Sequence, residues 1–219
     1  MTMKLRWVLA ALLALAVLGT GALAAAAAVD APGHAHKKVA QSEVAFHDGM
    51  RKLWEDHVTW TRMVIVEVAA GSAATDATVA RLLQNQVDIG DAIKPFYGDD
   101  AGDQLTELLT DHIVIAADIL VAAKAGDQDA VAEASDRWDT NADDIAAFLG
   151  AANPEHWPVD EMQAMMHEHL DLTLSEAVAR LQGDYAADIA AYDELHVQIL
   201  QMADMLSDGI ISQFPASFR

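Results

Sequence analysis

From about residue 42 onward, apolar residues recur three and four positions apart, as in Leu53, Trp60, Val64 and Val68, or Trp138, Ile145 and Leu149. That period belongs to helices buried along one face, and the β-branched alternation that marks strands is absent. The pattern predicts six helices, over 42–70, 75–96, 103–125, 127–149, 158–182 and 184–213. Gly126-Asp127 and Gly183-Asp184 each set a glycine where one helix needs a left-handed cap and an aspartate where the next needs an N-cap. This describes a tight antiparallel helical hairpin. Gly71 with Thr75 offers the same punctuation through a longer loop, whereas Pro95-Phe-Tyr-Gly98 and the stretch 150–158 are looser joints between hairpins. The expected fold is all-α: one helical bundle over 42–219, made of three consecutive hairpins at about 42–98, 99–150 and 157–214.

The hairpins repeat one phrase. Asp56-His57-Val58, Asp111-His112-Ile113 and Glu168-His169-Leu170 are each followed by a glycine fourteen residues after the histidine, at Gly71, Gly126 and Gly183. Such self-similarity marks an internal repeat of one supersecondary unit. At about 1.5 Å of rise per residue each histidine lies roughly 21 Å from its turn. Asn85-x-x-Asp88, Asn141-x-x-Asp144 and Asp193-x-x-His196 fall at about the same height on the return helices.

Two readings follow. In the first, each histidine is a core residue whose ring nitrogens are satisfied across its own hairpin. In the second, the hairpins close around an axis and His57, His112, His169 and His196, with Asp88 and Asp144, hold a metal. Imidazole and carboxylate without sulfur suit zinc, iron, nickel, manganese or copper(II). Stacking of the hairpins in a row, as in a solenoid, would keep the histidines apart. Elsewhere, Arg62 is placed to pair with Asp88 or Asp118, or to bind an anion. Met162, Met165 and Met166 read as core filler, and His167 is expected to face solvent or another groove. Glu67, Glu176 and Asp118 do not align across the copies.

The N-terminus changes the compartment. Lys4 and Arg6 precede an apolar run from Trp7 to Leu18 and small residues through Ala28, the plan of a cleaved signal peptide at 1–28. Residues 29–41, with Pro32, Gly33, His34 and His36, read as a flexible tail. The protein is expected to be exported, extracellular or in the cell envelope, with no stable membrane association after cleavage. Without cysteine there is neither a disulfide nor a thiolate site. Thirteen Lys and Arg stand against 34 Asp and Glu, a net charge of −21. Such a chain is repelled by nucleic acid and suits a metal ion or a cationic partner.

The phrases Leu53-Trp-Glu-Asp-His57-Val-Thr-Trp-Thr-Arg62, Asn85-Gln-Val-Asp-Ile-Gly-Asp-Ala-Ile-Lys-Pro-Phe-Tyr-Gly98 and Ala203-Asp-Met-Leu-Ser-Asp-Gly-Ile-Ile-Ser-Gln-Phe-Pro215 resemble those of a family of small exported bacterial proteins without an established activity. The resemblance covers nearly all of the mature chain and implies an exported helical bundle. Members sometimes carry the labels glycosyltransferase or acetylglutamate kinase. No phosphate loop, nucleophile elbow or nucleotide-binding strand pattern here supports either. The expected function is a non-enzymatic, metal-binding or structural role, with a metal-dependent enzyme and a metal-free acidic interaction module as the alternatives.

Overall fold

The computed structural model describes residues 40–219. The expected signal peptide and nearly all of the expected tail lie outside them. Six helices form: α1 (Gln41–Ala70), α2 (Thr75–Tyr97), α3 (Asp99–Ala125), α4 (Gln128–Ala152), α5 (Val159–Gln182) and α6 (Tyr185–Gln213), followed by a 3₁₀ turn at Pro215–Phe218.

The three tight turns follow the glycine chemistry. Gly71, Gly126 and Gly183 have φ of 68°, 77° and 78°, in the left-handed region that a side chain disfavours. Each ends its helix in a Schellman motif: Ser72 N–H donates to Glu67 O, Asp127 N–H to Ala122 O and Asp184 N–H to Ala179 O, all at 2.9–3.0 Å. Asp127 and Asp184 then cap the return helices, accepting from Ala130 N–H and Ala187 N–H at 3.1 Å. The first hairpin differs. Thr75 is already helical and bonds back to Ser72 O, and Ser72 accepts from Ala74 N–H, so no side chain caps α2.

Both joints between hairpins are more helical than expected: α3 starts at Asp99 rather than 103, and α4 runs to Ala152 rather than 149. α2 runs through Pro95, as expected, and ends at Tyr97; a proline in the last turn forgoes only one ladder bond. Lys94 binds Asp91 on its own helix at 2.8 Å and Asp103 across the α2–α3 joint at 2.7 Å. Here α2 and α3 touch backbone to backbone at Gly90 and Gly102, where a Cβ on Gly90 would come within 2.5 Å of Gly102 O.

Each helix packs on its successor and α6 returns to pack on α1, so the hairpins close into a ring. The ascending helices α1, α3 and α5 also meet one another inside it. Below the centre lie Met50, Trp54, Ile89, Leu105, Trp157 and Met202, and above it a smaller cluster of Val64, Ile65, Leu82, Ile113 and Leu120. Trp157 plugs the lower end: its indole covers Gly209 and donates to Met205 O at 3.3 Å. No described helix is long and apolar enough to cross a membrane.

Candidate functional site

Between the two apolar clusters lies a polar layer of three imidazoles. His57 on α1, His112 on α3 and His169 on α5 are 3%, 2% and 4% exposed. The ring centres of His57 and His169 are 5.6 Å apart, and those of His112 and His169 are 6.0 Å apart. Ring closure is what brings the repeated histidines together, since each sits on an ascending helix at one height above the same end of the bundle.

Each ring is held from behind. Asn141 on α4 donates its amide to Leu108 O, one turn before His112, at 3.0 Å, and turns Oδ1 to His112 Nδ1 at 2.9 Å. Gln198 on α6 repeats this for the third hairpin, with Met165 O at 3.0 Å and His169 Nδ1 at 3.3 Å. Because the amide nitrogen is committed to a carbonyl, the oxygen is what faces the ring, and an oxygen without hydrogen cannot donate. Nδ1 therefore carries the proton in His112 and His169, and each Nε2 keeps its lone pair.

The first hairpin splits the same work between two residues. Asn85 donates to Leu53 O at 3.0 Å, one turn before His57. Gln86 stands 29 residues after His57, as Asn141 does after His112 and Gln198 after His169. Its amide is turned to Leu82 O at 2.8 Å and to Asn85 Oδ1 at 3.3 Å. Gln86 Oε1 and His57 Nδ1 are both buried without a hydrogen-bond partner.

Burial is the main force on the charge state of the triad. It drives His57 well below its ordinary value, and the nearby His169 and His112 push it further down while Gln86 acts weakly the other way. His112 falls to about 3, by burial and then by His169, against the hydrogen bond to Asn141. His169 falls to about 4 by burial, against Gln198. All three are neutral at pH 7, the form in which imidazole binds a metal.

The other expected ligands are elsewhere. Asp88 lies on the outside, accepting from Gln84 at 3.0 Å. Asp144 is exposed. His196 contacts Glu55 on α1 at 3.0 Å across the α6–α1 seam. Asp88 and His196 stand two residues from the inward carboxamides Gln86 and Gln198, about 160° round their helices, whereas Asp144, three residues from Asn141 and about 60° round, lies at the exposed flank of the inward face. His167 pairs with Asp143 and Asp139 on α4. Among the described residues no group of three or more His, Asp or Glu side chains stands ready-made as a metal site.

No family profile, curated protein or solved structure matches this chain.

A second buried polar cluster escaped the sequence reading. Arg62 on α1 reaches not Asp88 or Asp118 but Glu176 on α5 at 2.6 Å and Asp188 on α6 at 2.7 Å, and Arg180 joins Asp188 at 3.2 Å. Glu176 and Asp188 are fully buried. Burial raises the Glu176 carboxyl to about 7, outweighing the pull of Arg62. Glu176 Oε2 has no partner.

Proposed function

We propose that this is an exported, non-enzymatic helical protein, built from one duplicated hairpin, that holds a single divalent transition-metal ion at His57, His112 and His169. The reading rests on one observation: three neutral imidazoles converge in the core, and in two of them a carboxamide takes the Nδ1 proton and leaves the Nε2 lone pair free. Metal-binding histidines commonly have their second nitrogen held in this way. Three imidazoles on one ion, at metal–nitrogen distances of about 2.0–2.1 Å, have ring centres roughly 5 Å apart. The separations of 5.6 and 6.0 Å are within about 1 Å of that value. The site closes on its ion by a small inward movement of the rings.

The donor set suits zinc, iron, nickel, manganese or copper(II) and is poor for copper(I), which prefers sulfur. Asp88, Asp144 and His196 are not part of the proposed site. Burial on every side favours retention of the ion over turnover, which supports a binding role above an enzymatic one. Equilibration with zinc or cobalt(II), removal of free ion and measurement of bound metal test the proposal. One ion per chain is expected, with nitrogen-ligand absorption bands for cobalt, and His57→Ala, His112→Ala and His169→Ala should each abolish it. Wild-type protein that retains no ion after loading overturns the reading.

A further inference from the structure

On the turn side of the histidine layer, the ascending helices and their partners enclose a partly open cavity of about 100 Å³. Its floor includes Thr61, Ala116 and Thr173, each one helical turn beyond His57, His112 and His169 respectively. Both threonine hydroxyls are committed to backbone, Thr61 to His57 O and Thr173 to His169 O, each at 2.8 Å. Trp138 closes one side, with its indole N–H on His112 O at 3.0 Å and its ring 5.0 Å from the His112 imidazole. Ile65, Leu82, Ile113, Leu120 and Leu181 line the rest.

An apolar space of this kind has no hydrogen bonds to offer water, and cavities of about 150 Å³ with such linings stay dry and accept benzene or xenon. With no charged side chain in the lining, a head group has no partner inside. The opening lets a longer molecule keep its polar end outside. We propose that this cavity binds a small neutral apolar moiety, no larger than a single aromatic ring or the tip of an alkyl chain, against Trp138 and the turn-side face of the histidine layer. The inference does not depend on the metal reading, since nothing in the cavity lining coordinates the triad.

Benzene, xenon and an alkyl glucoside below its micelle concentration are the probes, titrated into the metal-free protein. The readout is the Trp138 indole N–H resonance together with those of the isoleucine methyls. Saturable shifts confined to cavity residues are expected. Shifts with benzene or xenon identify a free small molecule as occupant, and shifts with the glucoside alone identify an inserted chain tip. Ala177→Leu fills the space and should weaken binding by about tenfold or more. Val64→Ala enlarges it and should admit p-xylene, which the wild-type cavity excludes. Absence of saturable shifts with all three probes, or equal affinity in folded Ala177→Leu protein, overturns the proposal.

Discussion

His112 donates from Nδ1 to Oδ1 of Asn141 at 2.9 Å, and the amide of the same Asn141 is fixed by Leu108 O, so one side chain sets both the tautomer and the tilt of a buried ring. Asn141→Leu removes both bonds; Leu108 O keeps its helical partner, but the buried ring N–H is left unpaired, which should cost about 1–3 kcal/mol at neutral pH. Denaturant unfolding measures it. Asn141→Asp should instead raise the His112 pKa toward neutrality by placing a carboxylate against the ring, which imidazole NMR titration reads directly.

The same carboxamides should govern metal affinity. Gln198→Leu leaves all three imidazoles present but frees the His169 ring to rotate and change tautomer. Loss of such an outer partner typically lowers affinity by about 10–100-fold. Competition titration against a chromophoric chelator would detect the shift, and an unchanged affinity would detach Gln198 from the site.

Acid should unfold the metal-free protein through the triad. The three histidines have folded pKa values below the ordinary 6.5, so between that value and about 4 the unfolded chain binds protons that the folded chain refuses. Stability is therefore fully present above pH 6.5 and falls as pH drops, by up to about 4 kcal/mol per pH unit for three groups. Glu176 runs the other way. Its folded value of about 7 lies above the ordinary 4.5, so the folded chain binds the extra proton between them and offsets about one third of the slope. With a net slope of about 2.7 kcal/mol per pH unit and total stability at the lower end of about 5–15 kcal/mol, the midpoint is expected at about pH 4–4.5. His112→Phe should flatten the dependence, as measured by urea unfolding across pH.

Removing Arg62 should be among the most damaging single changes outside the triad. Arg62→Met strips the shared cation from Glu176 and Asp188; Glu176 then holds its proton and Asp188 keeps only Arg180, and the lost charge-assisted hydrogen bonds should cost about 1.5–3 kcal/mol. Arg62→Met with Glu176→Gln should recover part of the loss. A double-mutant cycle with no coupling between the two sites would refute the ion-pair account.

Gly90→Ala should destabilise the α2–α3 contact by about 1–3 kcal/mol, since the new methyl meets Gly102 O and Thr106 and the helices must separate. Thermal unfolding checks it, and adding Thr106→Ala, which removes the nearest atom, should recover only part of the loss because Gly102 O stays in the way.

Much of the fold was written in short-range signals. Helical periodicity, the glycines with left-handed φ and the aspartates one residue later predict the hairpins, because caps and turns are decided by a few neighbouring residues. The carboxamide partners were only half legible. Asn141 was expected on the correct helix, but matching Asn85-x-x-Asp88 to Asn141-x-x-Asp144 slips the first hairpin by one residue, and Asp193-x-x-His196 misses Gln198 altogether. A carboxamide 29 residues after each histidine, at Gln86, Asn141 and Gln198, is the signal that aligns all three. The pairing of Arg62 with Glu176 and Asp188 was beyond reach, since 114 and 126 residues separate the partners.

The sequence by itself determined six helices, their turns and the common height of His57, His112 and His169 along them. Whether those histidines meet was decided only by the packing of α6 back onto α1. The phrase repeated along the chain fits a row of hairpins as well as a ring. Local propensity is the same in both, and only the burial of apolar faces around a shared axis turns a common height into a common site.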